Sequence, residues 1–365
     1  MDFEVIKGDA CEEFSGCDFV LKLPEDRVGT EIRILQITDT QIIDSTQCRT
    51  PDRLRPDEMA AWTPDRLDGQ CGNHIRSLIN QTNPDLIIMT GDIVYGSFDD
   101  KGSTLNWFCE LMDGFKIPWA PVFGNHDNET KMGVAWQCQR LEESKYCIFE
   151  RGEVSGNSNY TVGIAVGDRL VRVLYMIDSN GCAGSNAPDI IRTAGIYPDQ
   201  VEWLKTSANK IREAQGRVVP SFMAFHIPID LFEVAEREKG YKTEERSTYT
   251  IGVDVPALDG DFGFKLEAYR VIKTEDGFID TMHDMGVEGV FIGHAHNNNF
   301  CIDYDGIKWV FGMKTGQYDY HVLGQLGGTL ITQSGNDFGV RHIGALVKYA
   351  PMPKEAPFFG QYFEE

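Results

Sequence analysis

The sequence predicts an α/β fold, because short apolar runs alternate with helical patterns along the chain. Five apolar runs have the length of buried strands, and each ends in polar residues. These runs span residues 32–37, 86–89, 119–123, 218–225 and 289–292. Helical periodicity is found in residues 68–81, 105–115 and 201–215. Such alternation is typical of a central sheet covered by helices. The polar stretches 130–158 and 233–263 are expected to be irregular surface excursions, which either shape a substrate entrance or are plain insertion loops.

The composition and charge restrict the kind of partner that we expect. Of the 365 residues, 42% are hydrophobic, which is enough for a substantial core. The net charge of −22 repels nucleic-acid backbones, so no nucleic-acid partner is expected without a basic patch. The small cluster of Arg49, Arg53 and Arg55 is expected to be a solvated loop instead. No run of eighteen apolar residues is present, so no membrane span is expected.

Two features bear on the cellular compartment. The chain begins Met1-Asp2-Phe3-Glu4, without the basic and apolar regions of a secretory signal, which slightly favours a cytoplasmic protein. Secretion stays an alternative if a signal was removed, and the sequons at Asn80, Asn128 and Asn159 are weak support for it.

The nine cysteines follow no CxxC spacing, which argues against a zinc ribbon or a thioredoxin-like site. We expect them to be buried thiols. The alternative is a disulfide between Cys138 and Cys147 in an oxidising compartment.

The polar residues after the predicted strands have the chemistry of metal ligands. In α/β folds, ligands collect where the carboxyl ends of the strands meet their loops. Two neighbouring cations need carboxylate, imidazole and amide-oxygen ligands from several loops. The strand ends supply Asp39, Gln41, Asp92, Asn125, His226, His294 and His296. Four of the eight histidines of the chain, His126 included, fall in these clusters, which a chance distribution would scatter.

The order of these clusters resembles the calcineurin-like metallophosphoesterase superfamily. Its blocks D-x-H, GD, GNH, H and GHxH are similar to Asp39-x-Gln41, Gly91-Asp92, Gly124-Asn125-His126, His226 and Gly293-His294-Ala295-His296. The stretches ILQITDTQI, TGDIVYG, GNHDNET and VFIGHAHNNNFC are closer to the purple-acid-phosphatase-like branch of plants and fungi. The resemblance implies a four-layer α/β/β/α sandwich of two mixed sheets flanked by helices.

The resemblance also implies a hydrolase with two metal ions and no organic cofactor. Asp92 would bridge the metals, with Asp39 and His296 on the first metal. Asn125, His226 and His294 would bind the second. A metal-bridging hydroxide would then attack phosphorus, since two cations lower the pKa of the water and neutralise charge on the phosphoryl oxygens. The metals implied are iron with zinc or manganese, or a manganese or zinc pair.

The first block departs from the family because Gln41 stands where most members have histidine. Gln41 could bind the first metal through its amide oxygen, and we favour this assignment. Alternatively, Tyr95 completes a GDxxY pattern that resembles true purple acid phosphatases, in which the tyrosine is a phenolate ligand of ferric iron.

Catalytic and substrate-binding roles follow from the same resemblance. Asp92 and His126 are the expected catalytic residues, with the His126 imidazole contacting phosphate and protonating the leaving oxygen. Asn125, His126, Asn297 and His321 are expected to bind substrate. The sequence after Gly324 lacks the basic pair of closer relatives, which leaves phosphate binding to the metals.

The predicted domain covers residues 30–350, with residues 1–29 packing on it as an extension and residues 351–365 forming a tail. The expected activity is hydrolysis of phosphomonoesters, on small phosphorylated molecules or phosphoproteins. One alternative is a phosphodiesterase for cyclic or nucleotide-linked substrates. The second is a catalytically silent scaffold that binds a protein partner. The sequence predicts no oligomeric state.

Overall fold

Two mixed β-sheets and six α-helices form the protein in a computed structural model, which describes residues 3–44, 67–98, 101–182, 191–241, 247–322 and 324–345. The strands are β1 (Glu4–Lys7), β2 (Phe19–Leu23), β3 (Ile32–Ile37), β4 (Leu86–Thr90), β5 (Trp119–Val122), β6 (Tyr160–Val166), β7 (Arg169–Met176), β8 (Ser221–Ala224), β9 (Tyr249–Thr250), β10 (Phe264–Lys265), β11 (Val287–Ile292), β12 (Cys301–Tyr304), β13 (Ile307–Phe311), β14 (Gly327–Ser334) and β15 (Asp337–Gly344). The helices are α1 (Leu67–Thr82), α2 (Ser103–Phe115), α3 (Val134–Glu142), α4 (Pro198–Gln215), α5 (Leu231–Glu238) and α6 (Phe278–Asp284). Short 3-10 turns lie at Gly8–Ala10, Glu12–Phe14, Glu25–Arg27, Gly96–Phe98 and Asp127–Glu129.

The two sheets are built around parallel strands and carry antiparallel strands at their edges. The five-stranded sheet has the order β15-β14-β3-β4-β5, with β3, β4 and β5 parallel. The eight-stranded sheet has the order β1-β2-β6-β7-β8-β11-β13-β12, with β7, β8, β11 and β13 parallel. β9 and β10 pair separately. The loops after β3, β4 and β5 therefore lie at one edge of the smaller sheet, and the loops after β8 and β11 lie at one edge of the larger sheet.

The sheets stack face to face, and helices cover their outer faces. Alternate residues of β7 show this arrangement, because successive side chains of a strand point to opposite faces. Leu174 and Met176 pack in the core between the sheets, which also receives α1 and α2. Val173 and Tyr175 pack in a second core with α4 and α6. The predicted four-layer α/β/β/α sandwich is therefore confirmed.

The predicted strands and helices are all present, with small shifts at their ends. β3 has the predicted bounds, and α1 ends at Thr82 just before Asn83 and Pro84. Asn83 has a φ of 43°, and proline disfavours a helical residue ahead of it, so the helix stops there. The strand predicted over residues 218–225 is shorter, since Pro220 precedes β8 and has no N–H to donate to the sheet.

Two segments predicted as irregular excursions contain regular structure. Residues 130–158 include α3, whose Val134, Cys138 and Leu141 are buried on one face. Residues 233–263 include most of α5 and the strand β9. Polar residues between the apolar positions conceal the helical spacing of α3 in the sequence. The prediction of irregular surface loops was therefore wrong for these parts.

The structure places the other predicted features as follows. Cys138 and Cys147 are both free thiols, so the alternative of a disulfide between these two is not found. Asn128 and Asn159 are buried, and Asn80 is the exposed residue of the three sequons.

Residues 1–29 contribute β1 and β2 to the edge of the larger sheet. The arginine cluster near residue 50 and the tail after residue 350 lie outside the described residues. Within the described part of the chain, no helix combines the length and hydropathy needed to cross a membrane.

Candidate metal centre

Loops from both sheets bring the predicted ligands together. The loops after β3 and β4 carry Asp39 and Asp92, and the loop after β8 carries His226. Ligand atoms of these three buried residues all lie within 4.8 Å of one another. The loop after β11 completes the cluster with His294 Nδ1, 3.3 Å from His226 Nε2, and His296 Nε2, 3.3 Å from Asp39 Oδ1. The expected convergence of separate loops is therefore present.

Asp92 lies at the middle of the cluster. Its Oδ1 accepts a hydrogen bond of 2.8 Å from the main-chain N–H of His126. Its Oδ2 lies 3.2 Å from His226 Nε2 and 3.3 Å from Gln41 Nε2. Burial alone would raise the pKa of Asp92, but the imidazoles of His226 and His126 outweigh it and lower this pKa well below its usual range. The carboxylate is thus held in its anionic form.

Asp39 is held in the same way on the other side of the cluster. The main-chain N–H of His294 donates to its Oδ2 at 3.1 Å, and the Thr38 hydroxyl donates at 2.7 Å. Burial would raise the pKa of Asp39, but His296 and His226 more than offset that effect and lower it. Two buried carboxylates kept anionic at close range strongly attract a cation.

Main-chain carbonyl groups orient two of the histidines. His226 Nδ1 lies 2.8 Å from the Thr90 oxygen, and His296 Nδ1 lies 2.9 Å from the Tyr320 oxygen. Because a carbonyl only accepts, each Nδ1 carries the proton and each Nε2 faces the carboxylates. Metal-binding histidines are oriented in this manner.

The pKa values of two histidines are shifted in opposite directions. Burial would lower the pKa of His226, but Asp92 outweighs it and raises this pKa to about 9. Burial and the nearby His226 lower the pKa of His294 to about 3.

Asn125 shows that the residues fit a metal ion. Its amide Oδ1 is buried and has no hydrogen-bond partner among the described residues. A buried polar atom without a partner costs free energy, so such atoms are rare in folded proteins. A bound cation would satisfy this oxygen, and amide oxygen, carboxylate and imidazole together suit divalent and trivalent metals.

The backbone is strained where the ligands stand. Asp39, Gln41, Asp92 and His294 have φ values of 52°, 43°, 52° and 75°, a left-handed region that residues with a side chain seldom adopt. Such strain persists only where the surrounding structure enforces it, and it clusters at functional sites. The positive φ values turn the backbone sharply after each strand, which directs these side chains toward the cluster.

Glycine at position 124 is required by close packing. A Cβ atom there would lie 2.2 Å from Asp92 Oδ1 and 2.6 Å from the Asp92 main-chain nitrogen. Gly293 has the same constraint, since its Cβ would lie 2.5 Å from Asp39 Oδ2. The glycine residues of these motifs thus leave room for the carboxylates.

We therefore expect Gly124→Ala to lower the free energy of unfolding by about 1–3 kcal/mol through overpacking and to weaken metal binding. Urea unfolding and metal analysis of dialysed protein measure the two effects. Gly114→Ala in α2 is the matched control, because a Cβ there meets no atom within 4 Å. Equal stability and metal content in the two variants would contradict the steric explanation.

His126 lies beside the cluster, between Tyr95 and Glu129. Its ring stacks on the Tyr95 ring with centroids 4.6 Å apart, and its Nδ1 lies 2.9 Å from Glu129 Oε2. Burial would lower the pKa of His126, but Asp92 and Glu129 raise it above its ordinary value. Tyr95 itself is buried and packs with Ile43 and Tyr318.

Two predicted substrate residues lie at the edge of the cluster. The main-chain N–H of Asn297 donates to Glu267 Oε1 at 3.0 Å, and the buried Asn297 Oδ1 has no hydrogen-bond partner within the described ranges. His321 Nδ1 lies 3.3 Å from the Asp319 oxygen. His321 follows Tyr320, which stacks on His296 with centroids 4.2 Å apart.

Lys314 is a residue of the site that the sequence did not predict. It is 2% exposed, and its Nζ donates to Gln41 Oε1 at 2.8 Å and to the Asp39 main-chain oxygen at 2.9 Å. The available signal was its position: Lys314 follows the apolar strand β13, at the same kind of strand end as the predicted ligands.

The chain is similar to a family model and to several known proteins. A model of the calcineurin-like phosphoesterase family matches residues 32–298. A protein of Arabidopsis thaliana named probable inactive purple acid phosphatase 29 is 25% identical, over 82% of this chain and 75% of its own length. Phosphatase DCR2 of Saccharomyces cerevisiae is 25% identical, over 75% of this chain and 46% of its own length. A dimetal phosphatase from Danio rerio aligns with a TM-score of 0.46 and 10% identity, over 86% of this chain and 99% of that one.

The two stacked sheets flanked by helices form the fold of the metallophosphoesterases. The family match covers well over half of the sequence, and the chain belongs to the calcineurin-like phosphoesterase family. The predicted family and its purple-acid-phosphatase-like relatives are confirmed.

Proposed function

We propose that this protein hydrolyses phosphate esters, preferably monoesters, at a centre of two metal ions. The observation that carries the proposal is the buried group of Asp39, Asp92 and His226, whose ligand atoms lie within 4.8 Å of one another. Bound metals would supply Lewis acidity, which lowers the pKa of an attacking water and neutralises charge on the phosphoryl oxygens. A chain with a net charge of −22 could accept an anionic substrate in this way.

The ligands divide into two groups in this proposal. Asp39 and His296 would hold the first metal, and Asn125, His226 and His294 the second, with Asp92 shared. The donors suit iron with zinc or manganese, or a pair of manganese or zinc ions. For the remaining position on the first metal, the sequence offers Gln41 or Tyr95.

His126 would bind the phosphate and donate a proton to the leaving oxygen. Its Nδ1 faces the Glu129 carboxylate at 2.9 Å, which leaves Nε2 for the substrate. A pKa raised above the ordinary histidine value favours the protonated form that an acid needs. Asn297 and His321, at the edge of the cluster, would contact the substrate.

His126→Asn is expected to lower kcat on an alkyl phosphate by about a hundredfold to ten-thousandfold, the usual contribution of general acid catalysis. The loss should be smaller on 4-nitrophenyl phosphate, whose leaving group needs no proton. His283→Asn, on the exposed side of α6, is the matched control. Metal content should stay that of the wild type. Equal losses on both substrates would argue against an acid role for His126.

The substrate class is tested with metal-loaded protein and two chromogenic substrates, 4-nitrophenyl phosphate and bis(4-nitrophenyl) phosphate. We expect turnover of the monoester. Turnover of the diester alone would support the phosphodiesterase alternative.

The Arabidopsis relative is named probable inactive, which makes a silent scaffold the second candidate function. Against it, this chain retains His126 and the ligand cluster. Protein that binds metal but turns over neither substrate would favour the scaffold.

A further inference from the structure

A buried lysine lies beside the ligand cluster. Lys314, in the loop after β13, is almost wholly buried, and its Nζ donates to the Asp39 main-chain oxygen at 2.9 Å. Burial lowers the pKa of Lys314, and the nearby carboxylates of Asp39, Asp319 and Asp92 act against this by favouring the charged ammonium. Lys314 therefore already neutralises part of the negative charge that would attract a metal to Asp39.

Lys314 also determines the orientation of the Gln41 amide. The Gln41 Oε1 accepts from Lys314 Nζ at 2.8 Å, while Gln41 Nε2 donates to Asp92 Oδ2 at 3.3 Å. An ammonium can only donate and a carboxylate can only accept, so turning the amide over would break both hydrogen bonds. The amide oxygen, which is the atom that could bind a metal, is thus occupied by Lys314.

We propose that Lys314 and Gln41 make the two metal positions unequal, so that one ion is held firmly and the other exchanges readily. The firm position is formed by Asp92, Asn125, His226 and His294. The weak position is formed by Asp39 and His296, beside the ammonium of Lys314. The ammonium and a metal ion bound to Asp39 and His296 are both positive, and like charges repel strongly inside a protein. Gln41 is then a positioning residue that holds Asp92, and not a metal ligand. This inference rests on the ligand assignment of the proposed function.

Stepwise metal binding tests the inference. Protein stripped of metal is titrated with Mn²⁺ in equilibrium dialysis, and the bound metal is counted by mass spectrometry. We expect wild type to bind the second ion at least about tenfold more weakly than the first. Lys314→Met, which removes the charge and keeps a side chain of similar length, should tighten the second step by about tenfold or more and change the first step less.

Two variants serve as controls. Lys308→Met makes the same change on β13, the strand that precedes Lys314, where Lys308 pairs with Asp303, and it should bind metal as wild type does. Lys314→Arg keeps the positive charge and should keep the second step weak. Circular dichroism establishes that each variant is folded, and two equally tight ions in wild type would overturn the inference even if Lys314→Met does not fold.

The outcomes separate this inference from the proposed function. Two equally tight ions in wild type, or an unchanged second step in Lys314→Met, would overturn the inference and leave the two-metal hydrolase intact. Failure of wild type to bind any metal would instead remove the proposed centre itself.

Discussion

Asp92→Asn is expected to abolish phosphoesterase activity, with kcat reduced by about a thousandfold or more. One oxygen of the buried Asp92 carboxylate contacts His226 and Gln41. The other oxygen accepts from the main-chain N–H of His126 in the loop after β5. The amide has the same shape but no negative charge, so one cation loses its anionic partner. Metal catalysis contributes several kcal/mol to such reactions, and each 1.36 kcal/mol is a factor of ten in rate.

The measurement combines kcat on 4-nitrophenyl phosphate with metal analysis of the dialysed protein. Both turnover and bound metal should fall in Asp92→Asn. Asp168→Asn, at an exposed turn where Asp168 pairs with Lys22, removes the same charge outside the site and should leave both unchanged. Normal turnover of Asp92→Asn with two bound metals would refute the central role of this residue.

Glu236→Ala is expected to destabilise the protein by about 3–5 kcal/mol, the usual cost of removing one partner of a buried ion pair. Glu236 is fully buried on α5 and accepts from Lys265 Nζ at 3.0 Å and from the Tyr249 hydroxyl at 2.6 Å. The Tyr269 hydroxyl donates to its other oxygen. The variant leaves the Lys265 ammonium buried without its carboxylate.

Urea unfolding measures the loss in the free energy of unfolding. Glu238→Ala lies on the same helix, where Glu238 forms an exposed pair with Arg237, and it should cost less than about 1 kcal/mol. A comparably small loss in Glu236→Ala would show that the network contributes little.

The stretch after Lys265 also supports the site, because the N–H groups of Leu266 and Glu267 donate to Asn298 Oδ1 in the loop after β11.

Much of the site could be predicted because its signals are local in the sequence. An apolar strand followed at once by an acid, amide or imidazole places that side chain at a carboxyl end of the sheet. This pattern located Asp39, Asp92, Asn125 and His226, and the structure brings the loops that carry them together. Gly124 is explained by the same proximity, since its missing side chain leaves room for Asp92.

Other features could not be predicted because they depend on residues far apart in the chain. The contact between Lys314 and Gln41 joins positions 273 residues apart, and no local pattern relates them. The orientation of the Gln41 amide, and hence its availability to a metal, follows from that contact. Burial of the sequon residues Asn128 and Asn159 likewise depends on the packing of distant segments.

From the amino-acid sequence alone, five strands that lead into the site, the order of the polar clusters and therefore the family could be predicted, because hydrophobic periodicity and motif spacing act over a few residues. Which side chains meet depends instead on the packing of the two sheets. Stacking two sheets places His226, His294 and His296 of one sheet beside Asp39 and Asp92 of the other. The same stacking places a buried ammonium among them, since packing selects contacts by space and charge and not by distance along the chain.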